Sequence, residues 1–291
     1  MAPWYTPKVR FELHCHSTCS DGTEPPARVA ARAAERGVEV FALTDHDSCE
    51  GSGIEVPGAR AIRGVELSCD DGGRTVHVLA YDRGGNWAAL EARLSDVRAA
   101  RRNRLRVMGA RLEQRGVRID LAPLLAEAER RSVGRPDLAR AMVASGAASS
   151  VKDAFARHLY DAGPVDVPHR ALPLEEALAL GRAAGAAMAL AHPHLYDAYG
   201  VALLRRYRPG GQGAAAGELG GIGGIGGIGG IEAYNGAYDA RERARWIALA
   251  DELGLVCTGG SDWHGPEEAH AQPGVDLPPD RSAALLRWLG A

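Results

Sequence analysis

The sequence predicts an α/β fold in which strands and helices alternate, with a helical insertion in the middle of the chain. Short apolar runs without polar–apolar alternation are typical of buried parallel strands, and amphipathic helical patterns separate several of them. This order of elements predicts a parallel sheet or a barrel. The chain has 291 residues and is 46% hydrophobic, which suffices for one large domain or one domain with an insertion.

The predicted strands and helices follow one another along both ends of the chain. The apolar runs that predict strands are residues 9–13, 38–43, 61–65, 76–81, 186–191, 228–233 and 255–258. The helical patterns between them are residues 26–36, 174–184 and 240–253.

The middle of the chain, from about residue 87 to about residue 162, has no strand pattern. Its apolar residues recur at spacings of three, four or multiples of them, which predicts one face of a long helix; they are Leu90, Leu94, Val97, Leu105, Met108 and Leu112. We therefore predict a helical insertion domain at 87–162, between two parts of a main domain at 1–86 and 163–291.

The polar face of that long helix is rich in arginine, at Arg98, Arg101, Arg102, Arg104, Arg106 and Arg111. Charge runs are usually solvated helix faces. The alternative is a basic lip that attracts a polyanionic substrate.

A glycine-rich stretch at 217–236 repeats the triplet Gly-Gly-Ile. Such glycine density disfavours regular structure, which predicts a mobile loop leading into the strand at 228–233. A phosphate-binding loop is the alternative, but no Lys-Ser/Thr pair follows the glycines.

The bulk properties narrow the function classes. A net charge of −3 and a pI near 6.4 argue against bulk electrostatic binding of nucleic acid. The first residues lack the apolar core of a signal peptide, no apolar run reaches membrane-spanning length, and the five cysteines show no framework spacing. We therefore expect a cytoplasmic protein with no membrane association and no obligate protein partner.

Metal-binding residue types follow almost every predicted strand. His14 and His16 follow the first strand, and His46 lies between Asp45 and Asp47 after the second. The remaining positions at or near strand ends are Glu66, His77, His192, Asp262 and His264. In a β/α barrel these ends converge on one face, where active sites are built. A single histidine is more often structural. Histidine, aspartate or glutamate at the ends of several strands together predicts a metal site.

Two pairs in this set have the spacing that lets both members reach one ion. His14 with His16, and Asp262 with His264, are two residues apart, so on an extended strand they point to the same side with Cα atoms about 6–7 Å apart. Cys15 then points away, and Cys15 and Cys19 are predicted not to be ligands. Asp21 lies in the following turn and can reach back.

The candidate ligands number nine: His14, His16, Asp21, His46, Glu66, His77, His192, Asp262 and His264. A structural zinc takes about four ligands, so the set predicts two or three divalent ions with open positions for water. A carboxylate such as Glu66 or Asp262 can bridge two of them. Imidazole and carboxylate without thiolate suit Mn, Fe(II) or Zn and do not separate them.

At these residues the sequence resembles the polymerase and histidinol phosphatase (PHP) family of metal-dependent phosphoesterases. The similarity runs in order from about Phe11 to His264 through ELHCHSTCSDG, LTDHDS, GVELS, HVLAYD, GRPDLARAMV, AHP, IEAYNG and GGSDWH. The resemblance implies a distorted TIM-like (β/α)7 barrel at 1–86 and 163–291. It also implies two or three metal ions held by the nine residues named above.

The insertion with its Gly-Arg-Pro sequence is similar to one branch of that family. Its members remove the 3′-phosphate from nucleoside 3′,5′-bisphosphates, and some relatives trim short RNA from its 5′ end. The resemblance implies that Arg135 holds substrate phosphate, for which a planar guanidinium is well suited. The alternative is that Arg135 only begins a helix before Pro136.

Two departures from that branch affect the substrate pocket. Asp137 stands where relatives usually have histidine, so phosphate affinity falls or a further metal is favoured if that position contacts substrate. The arginine that often follows AHP is absent, and His194 is the nearby candidate for a phosphate contact or a proton donor. His194 equally fits an exposed loop residue.

The expected reaction is hydrolysis of a phosphomonoester of a small nucleotide, foremost the 3′-phosphate of nucleoside 3′,5′-bisphosphates. A metal-bound hydroxide is the expected nucleophile, with Asp262 as ligand and orienting group. Short RNA is an alternative substrate through 5′-end exonuclease activity, and histidinol phosphate is another. A non-catalytic PHP module fits less well because all nine positions are filled. An amidase-like site with a carboxylated lysine lacks its lysine, since Lys8 and Lys152 are far from strand ends.

Overall fold

The computed structural model of the chain describes residues 8–168, 171–211, 227–267 and 272–290. Within these ranges the strands form two sheets. The strands are β1 Val9–Glu12, β2 Val40–Phe41, β3 Arg60–Ala61, β4 Gly64–Asp71, β5 Arg74–Tyr81, β6 Leu172–Pro173, β7 Ala187–Leu190, β8 Gly230–Asn235, β9 Val256–Gly260 and β10 Val275–Leu277. Each predicted strand is present with shifted ends, the run at 61–65 is divided between β3 and β4, and β6 and β10 are additional.

The helices of the described ranges lie mainly between these strands. They are α1 Pro26–Glu35, α2 Ala88–Gln114, α3 Ala122–Glu127, α4 Arg135–Ala144, α5 Val151–Ala154, α6 Leu174–Ala183, α7 Asp197–Tyr207, α8 Ala240–Leu253 and α9 Pro279–Leu289. A π-helical turn, Phe155–Leu159, continues α5. None of these helices combines the length and the apolar composition that crossing a membrane requires.

The sheets are mixed, so the prediction of a parallel sheet is correct only in part. One sheet has the order β10-β1-β2-β3 and the other β6-β4-β5-β7-β8-β9. Most neighbours are parallel, but β10 is antiparallel to β1, and β5 is antiparallel to both β4 and β7. The cause at β5 is local. Gly72 and Gly73, with φ of +63° and +88°, form a two-residue turn that can only join antiparallel strands.

The segments that follow β1 and β2 link the first sheet to the second, the former beyond the end of β9 and the latter at β4. Beyond β1, His16 N donates to Trp263 O (2.9 Å) and Asp262 N donates to His14 O (2.7 Å). Beyond β2, Asp47 N donates to Glu66 O (2.9 Å). The fold is therefore a mixed α/β fold with two linked sheets, and a single closed barrel remains a prediction.

The middle of the chain is helical from α2 to the π-helical turn, as its pattern predicts. The predicted apolar face of α2 is buried along its whole length. Leu90, Leu94 and Val97 pack in the main hydrophobic core, whereas Leu105, Met108 and Leu112 belong to a second cluster with residues of α3, α4 and the π-helical turn. We call residues 87–162 the helical segment. Its independence as a domain remains a prediction.

The predicted mobile loop at 217–236 falls largely on residues 212–226, which lie outside the described ranges. Its last part is structured as expected, because it enters β8.

Candidate metal centre

The nine predicted ligands lie together, in strands of the second sheet and in segments that follow strands of both sheets. They form overlapping groups whose ligand atoms lie within 4.8 Å of one another: His16, Asp21, His46 and His264; His14, Glu66 and His192; His14, His16 and Asp262; His46, Glu66 and His77. Neither Cys15 nor Cys19 belongs to any of them. Cys15 is fully buried, and its thiol lies 3.7 Å from Ala42 O. We call the nine residues the candidate metal centre.

Glu66 occupies the middle of the candidate metal centre. Its two oxygens lie within 3.4 Å of five imidazoles: His14 Nε2 at 3.4 Å, His16 Nε2 at 3.2 Å, His46 Nδ1 at 2.9 Å, His77 Nδ1 at 3.1 Å and His192 Nε2 at 3.0 Å. A buried carboxylate with imidazoles beside both of its oxygens would be placed to share in holding more than one divalent ion.

Several buried polar atoms in the centre lie close to one another without the geometry of a hydrogen bond. They are His14 Nε2, His16 Nε2, His46 Nδ1 and Glu66 Oε2. Buried polar atoms are hydrogen-bonded in the great majority of cases, so a cluster of inward-facing exceptions needs a ligand. Nitrogen and carboxylate oxygen donors fit Mn, Fe or Zn. The donor set therefore fits divalent ions.

The outward-facing ring nitrogens are held by other groups, which sets the orientation of each imidazole. His14 Nδ1 lies 3.0 Å from Glu232, and His264 Nδ1 lies 2.8 Å from Asp262 O. His192 Nδ1 lies 3.3 Å from the Tyr196 hydroxyl. Such partners fix the tautomer and the ring orientation of metal-binding histidines. The opposite nitrogens of these rings are thereby directed toward the other ligands.

Two residues of the centre have backbone conformations that side chains rarely adopt. His192 has φ of +27° and Asp262 has φ of +55°. Such conformations cost about 1–3 kcal/mol each and persist where surrounding contacts impose them. Here the bonds from His192 N to Glu232 (2.6 Å) and from Asp262 N to His14 O (2.7 Å) impose them.

The charges of the centre compensate one another. Burial opposes the charged form of His16, but the nearby carboxylates of Asp262 and Glu66 raise its pKa to about 10. Burial also opposes the charge of Glu66, but His46, His14 and His77 hold its pKa well below the usual range. Because histidine binds a metal as neutral imidazole, ion binding releases protons from such a cluster.

The sequence analysis missed three residues that support the centre. Glu232 contacts His14 and His192, and Tyr196 accepts a hydrogen bond from His77 N (2.9 Å). Glu12 accepts hydrogen bonds from His14 N, Ser261 N and Gly274 N, and burial raises its pKa to about 7. Glu232 had a visible signal: it is a carboxylate inside the apolar run at 228–233.

A cleft of about 750 Å³ opens over the centre, with Asp21, His46, His77 and His192 among its lining residues. Three arginines of the helical segment, Arg101, Arg104 and Arg135, also line it. Burial, followed by the charge of Arg135, lowers the pKa of Arg104. The three arginines form ion pairs with Asp47, Asp166 and Asp161, so the cleft combines a candidate metal centre with paired arginines.

The arginines on the polar face of α2 fall into two groups, those that line the cleft and those that do not. Arg101 and Arg104 line the cleft, and Arg101 Nη2 lies 2.6 Å from the buried Asp47. Elsewhere on the face, Arg102 forms an ion pair with Glu129 (2.6 Å), and Arg106 is exposed. Arg98 and Arg111 are half-buried and donate to the carbonyls of Asp47 and Asp166. The predicted basic lip therefore involves only part of the face.

Two predicted phosphate contacts are not lining residues of the cleft, although the His194 ring lies 6.5 Å from the ring of His192. Asp137 is buried at the start of α4, where Gly134 N, Arg131 and Arg140 donate to its oxygens. His194 is exposed, and its Nδ1 lies 2.9 Å from the Tyr238 hydroxyl. Neither residue is among those lining the cleft. The phosphate contacts of Asp137 and His194, and proton donation by His194, remain predictions.

Comparisons with known proteins agree with this site. The PHP domain pattern matches residues 12–91. A 3′,5′-nucleoside bisphosphate phosphatase from Chromobacterium violaceum is 34% identical over 285 residues, which cover 93% of each chain. A 5′-3′ exoribonuclease from Haemophilus influenzae is 34% identical over 199 residues, covering 66% of this chain and 71% of that protein.

A solved structure shows the same similarity in three dimensions. It is a proposed metal-dependent phosphoesterase from Bifidobacterium adolescentis, with a TM-score of 0.75 and 26% identity, covering 97% of this chain and 96% of that chain. The chain belongs to the PHP family of metal-dependent phosphoesterases and is a hydrolase.

Proposed function

We propose that the chain removes the 3′-phosphate from nucleoside 3′,5′-bisphosphates, using two or three divalent ions held by the nine residues of the candidate metal centre. The observation that carries the proposal is the cleft, in which Arg101, Arg104 and Arg135 share one cavity with the centre. A substrate with two phosphate groups matches two separate anion-binding surfaces, whereas a monophosphate uses one.

The protein's residues bind and orient the substrate. Bound ions supply an activated water nucleophile and neutralise charge on the phosphoryl oxygens. Asp262, whose side chain is 32% exposed, is the most open carboxylate of the centre and can hold a water molecule near the phosphorus. Arg135 forms an ion pair with Asp161, whose side chain is 86% exposed. A phosphate can replace this solvated carboxylate, because exposed ion pairs are weak.

The relatives support the substrate class and also a second candidate. A 3′,5′-nucleoside bisphosphate phosphatase covers nearly the whole chain, which favours the first proposal. The Haemophilus influenzae relative is a 5′-3′ exoribonuclease, so a short RNA with a 5′-phosphate is the second candidate substrate. The two candidates differ in what leaves the phosphorus, and the same cleft can hold either.

A comparison of substrates with Mn-loaded protein tests the proposal. Adenosine 3′,5′-bisphosphate, AMP, histidinol phosphate and a short 5′-phosphorylated RNA are the substrates, and Asp262→Ala is the inactive control. We expect the bisphosphate to have the highest kcat/KM and to yield AMP and phosphate. A higher kcat/KM for RNA would support the exonuclease, and turnover of histidinol phosphate alone would overturn both nucleotide proposals.

A further inference from the structure

The helical segment donates hydrogen bonds to three consecutive carbonyl groups in the turn that contains Asp21. We call residues 17–22 the ligand loop. Ser132 N donates to Cys19 O (3.0 Å), Arg131 Nη1 donates to Ser20 O (2.6 Å), and Arg140 Nη2 donates to Asp21 O (2.9 Å). The turn between α3 and α4, together with α4, therefore binds the backbone of the loop from outside.

Asp137 holds both of these arginines in place. Its Oδ1 accepts hydrogen bonds from Arg131 Nη1 and Arg140 Nη2, each at 2.9 Å, and its Oδ2 accepts one from Gly134 N at 2.8 Å. The residue is only 4% exposed. A buried carboxylate with these three donors is fully committed to this contact, and charge-assisted bonds of this kind are the stronger ones.

We propose that Asp137 is a positioning residue for the metal centre, acting through Arg131 and Arg140 on the carbonyls of Ser20 and Asp21. The proposal rests on the metal centre proposed above. Asp21 lies in a turn, so its position depends on such support more than those of Glu66 and His77, which lie within strands. Loosening the two arginines would release the backbone of Asp21 itself.

The inner side of the ligand loop is held by a separate set of contacts. Asp45 accepts hydrogen bonds from Ser17 N (2.8 Å), Ser17 Oγ (2.7 Å) and Ser20 Oγ (2.5 Å). The loop then passes so close to His16 that a Cβ at Gly22 would lie 2.6 Å from the His16 carbonyl. Between these two fixed points, the backbone at Ser20 and Asp21 is held by Arg131 and Arg140.

Titration of metal-free protein with Mn²⁺ by calorimetry tests this role. We expect Asp137→Asn to weaken Mn²⁺ affinity by about 10-fold or more, as is typical when groups that support ligands are changed. Glu129→Gln is the matched control, because it removes a carboxylate from the same turn that pairs only with Arg102 at the surface. We expect the control to keep the affinity of the unchanged protein, and circular dichroism to show both variants folded.

A second variant separates positioning from a general loss of stability. The Arg140 side chain is 36% exposed, so Arg140→Gln is expected to fold even if Asp137→Asn does not. Arg140→Gln should also weaken Mn²⁺ binding. The fold-loss of Mn²⁺ affinity in the double variant should be smaller than the product of the fold-losses in the two single variants, because both substitutions act through one contact. Unchanged Mn²⁺ affinity in folded Asp137→Asn and Arg140→Gln would overturn the inference. If the unchanged protein itself bound no Mn²⁺, the proposed metal centre would fail instead.

Discussion

Arg135 begins α4 and presents its guanidinium to the cleft, between the Leu159 carbonyl and Asp161. We expect Arg135→Gln to lower kcat/KM for a bisphosphate about 10- to 100-fold, mainly by raising KM, because a charge-assisted hydrogen bond is worth about 1.5–3 kcal/mol. Steady-state kinetics measure it. Arg157→Gln, which removes a surface arginine paired with Asp153, should leave both constants unchanged. Equal values of kcat and KM for the two variants would show that Arg135 does not bind the substrate.

At the same scale, the sequence located the candidate ligands well and their support poorly. His14, His46 and His192 could be found because residue type and strand-end position are both visible in the sequence. Asp137 and Tyr196 could not, because their roles depend on contacts with residues far away in the chain. The structure places Asp137 against Arg131 and Arg140, and no local pattern around the Gly-Arg-Pro sequence indicates these partners.

At the scale of elements, α2 joins the main core and the second hydrophobic cluster. Met108 is fully buried in the second cluster, and Val107 beside it is 37% exposed. We expect Met108→Ala to cost about 2–5 kcal/mol of the free energy of unfolding of the helical segment, and Val107→Ala to cost far less. Hydrogen exchange should show α3 and α4 losing protection while β4 and β5 keep theirs. A uniform loss of hydrogen-exchange protection along the chain would contradict the prediction that the helical segment is an independent domain.

The elements themselves were predicted with uneven success, for local reasons. The α2 pattern extends over 27 residues, so periodicity alone identified it. The strands β6 and β10 have two and three residues and are set by pairing with β4 and β1, which no local pattern shows. The antiparallel β5 did have a signal in Gly72–Gly73, whose turn chemistry was overlooked.

At the scale of the whole molecule, the candidate metal centre ties the two sheets together. Metal should therefore stabilise the entire fold, because ions that bind only the folded state raise its stability with their concentration. We expect EDTA to lower the melting midpoint of Mn-loaded protein by about 5 °C or more, and added Mn²⁺ to restore it. Calorimetry measures both. His14→Ala should respond to neither treatment, and an unchanged midpoint in the native protein would contradict this link.

The continuity of α2 limits how the cleft can adapt. Its 27 residues span about 40 Å without a break, and both of its halves are embedded in hydrophobic clusters. The part that carries Arg101 and Arg104 therefore cannot swing toward the strands as a hinged flap without bending the helix. We therefore expect the distance between these arginines and the metal-binding side chains to stay constant. On the proposed function, that distance would favour substrates whose two negative groups are separated by a matching length.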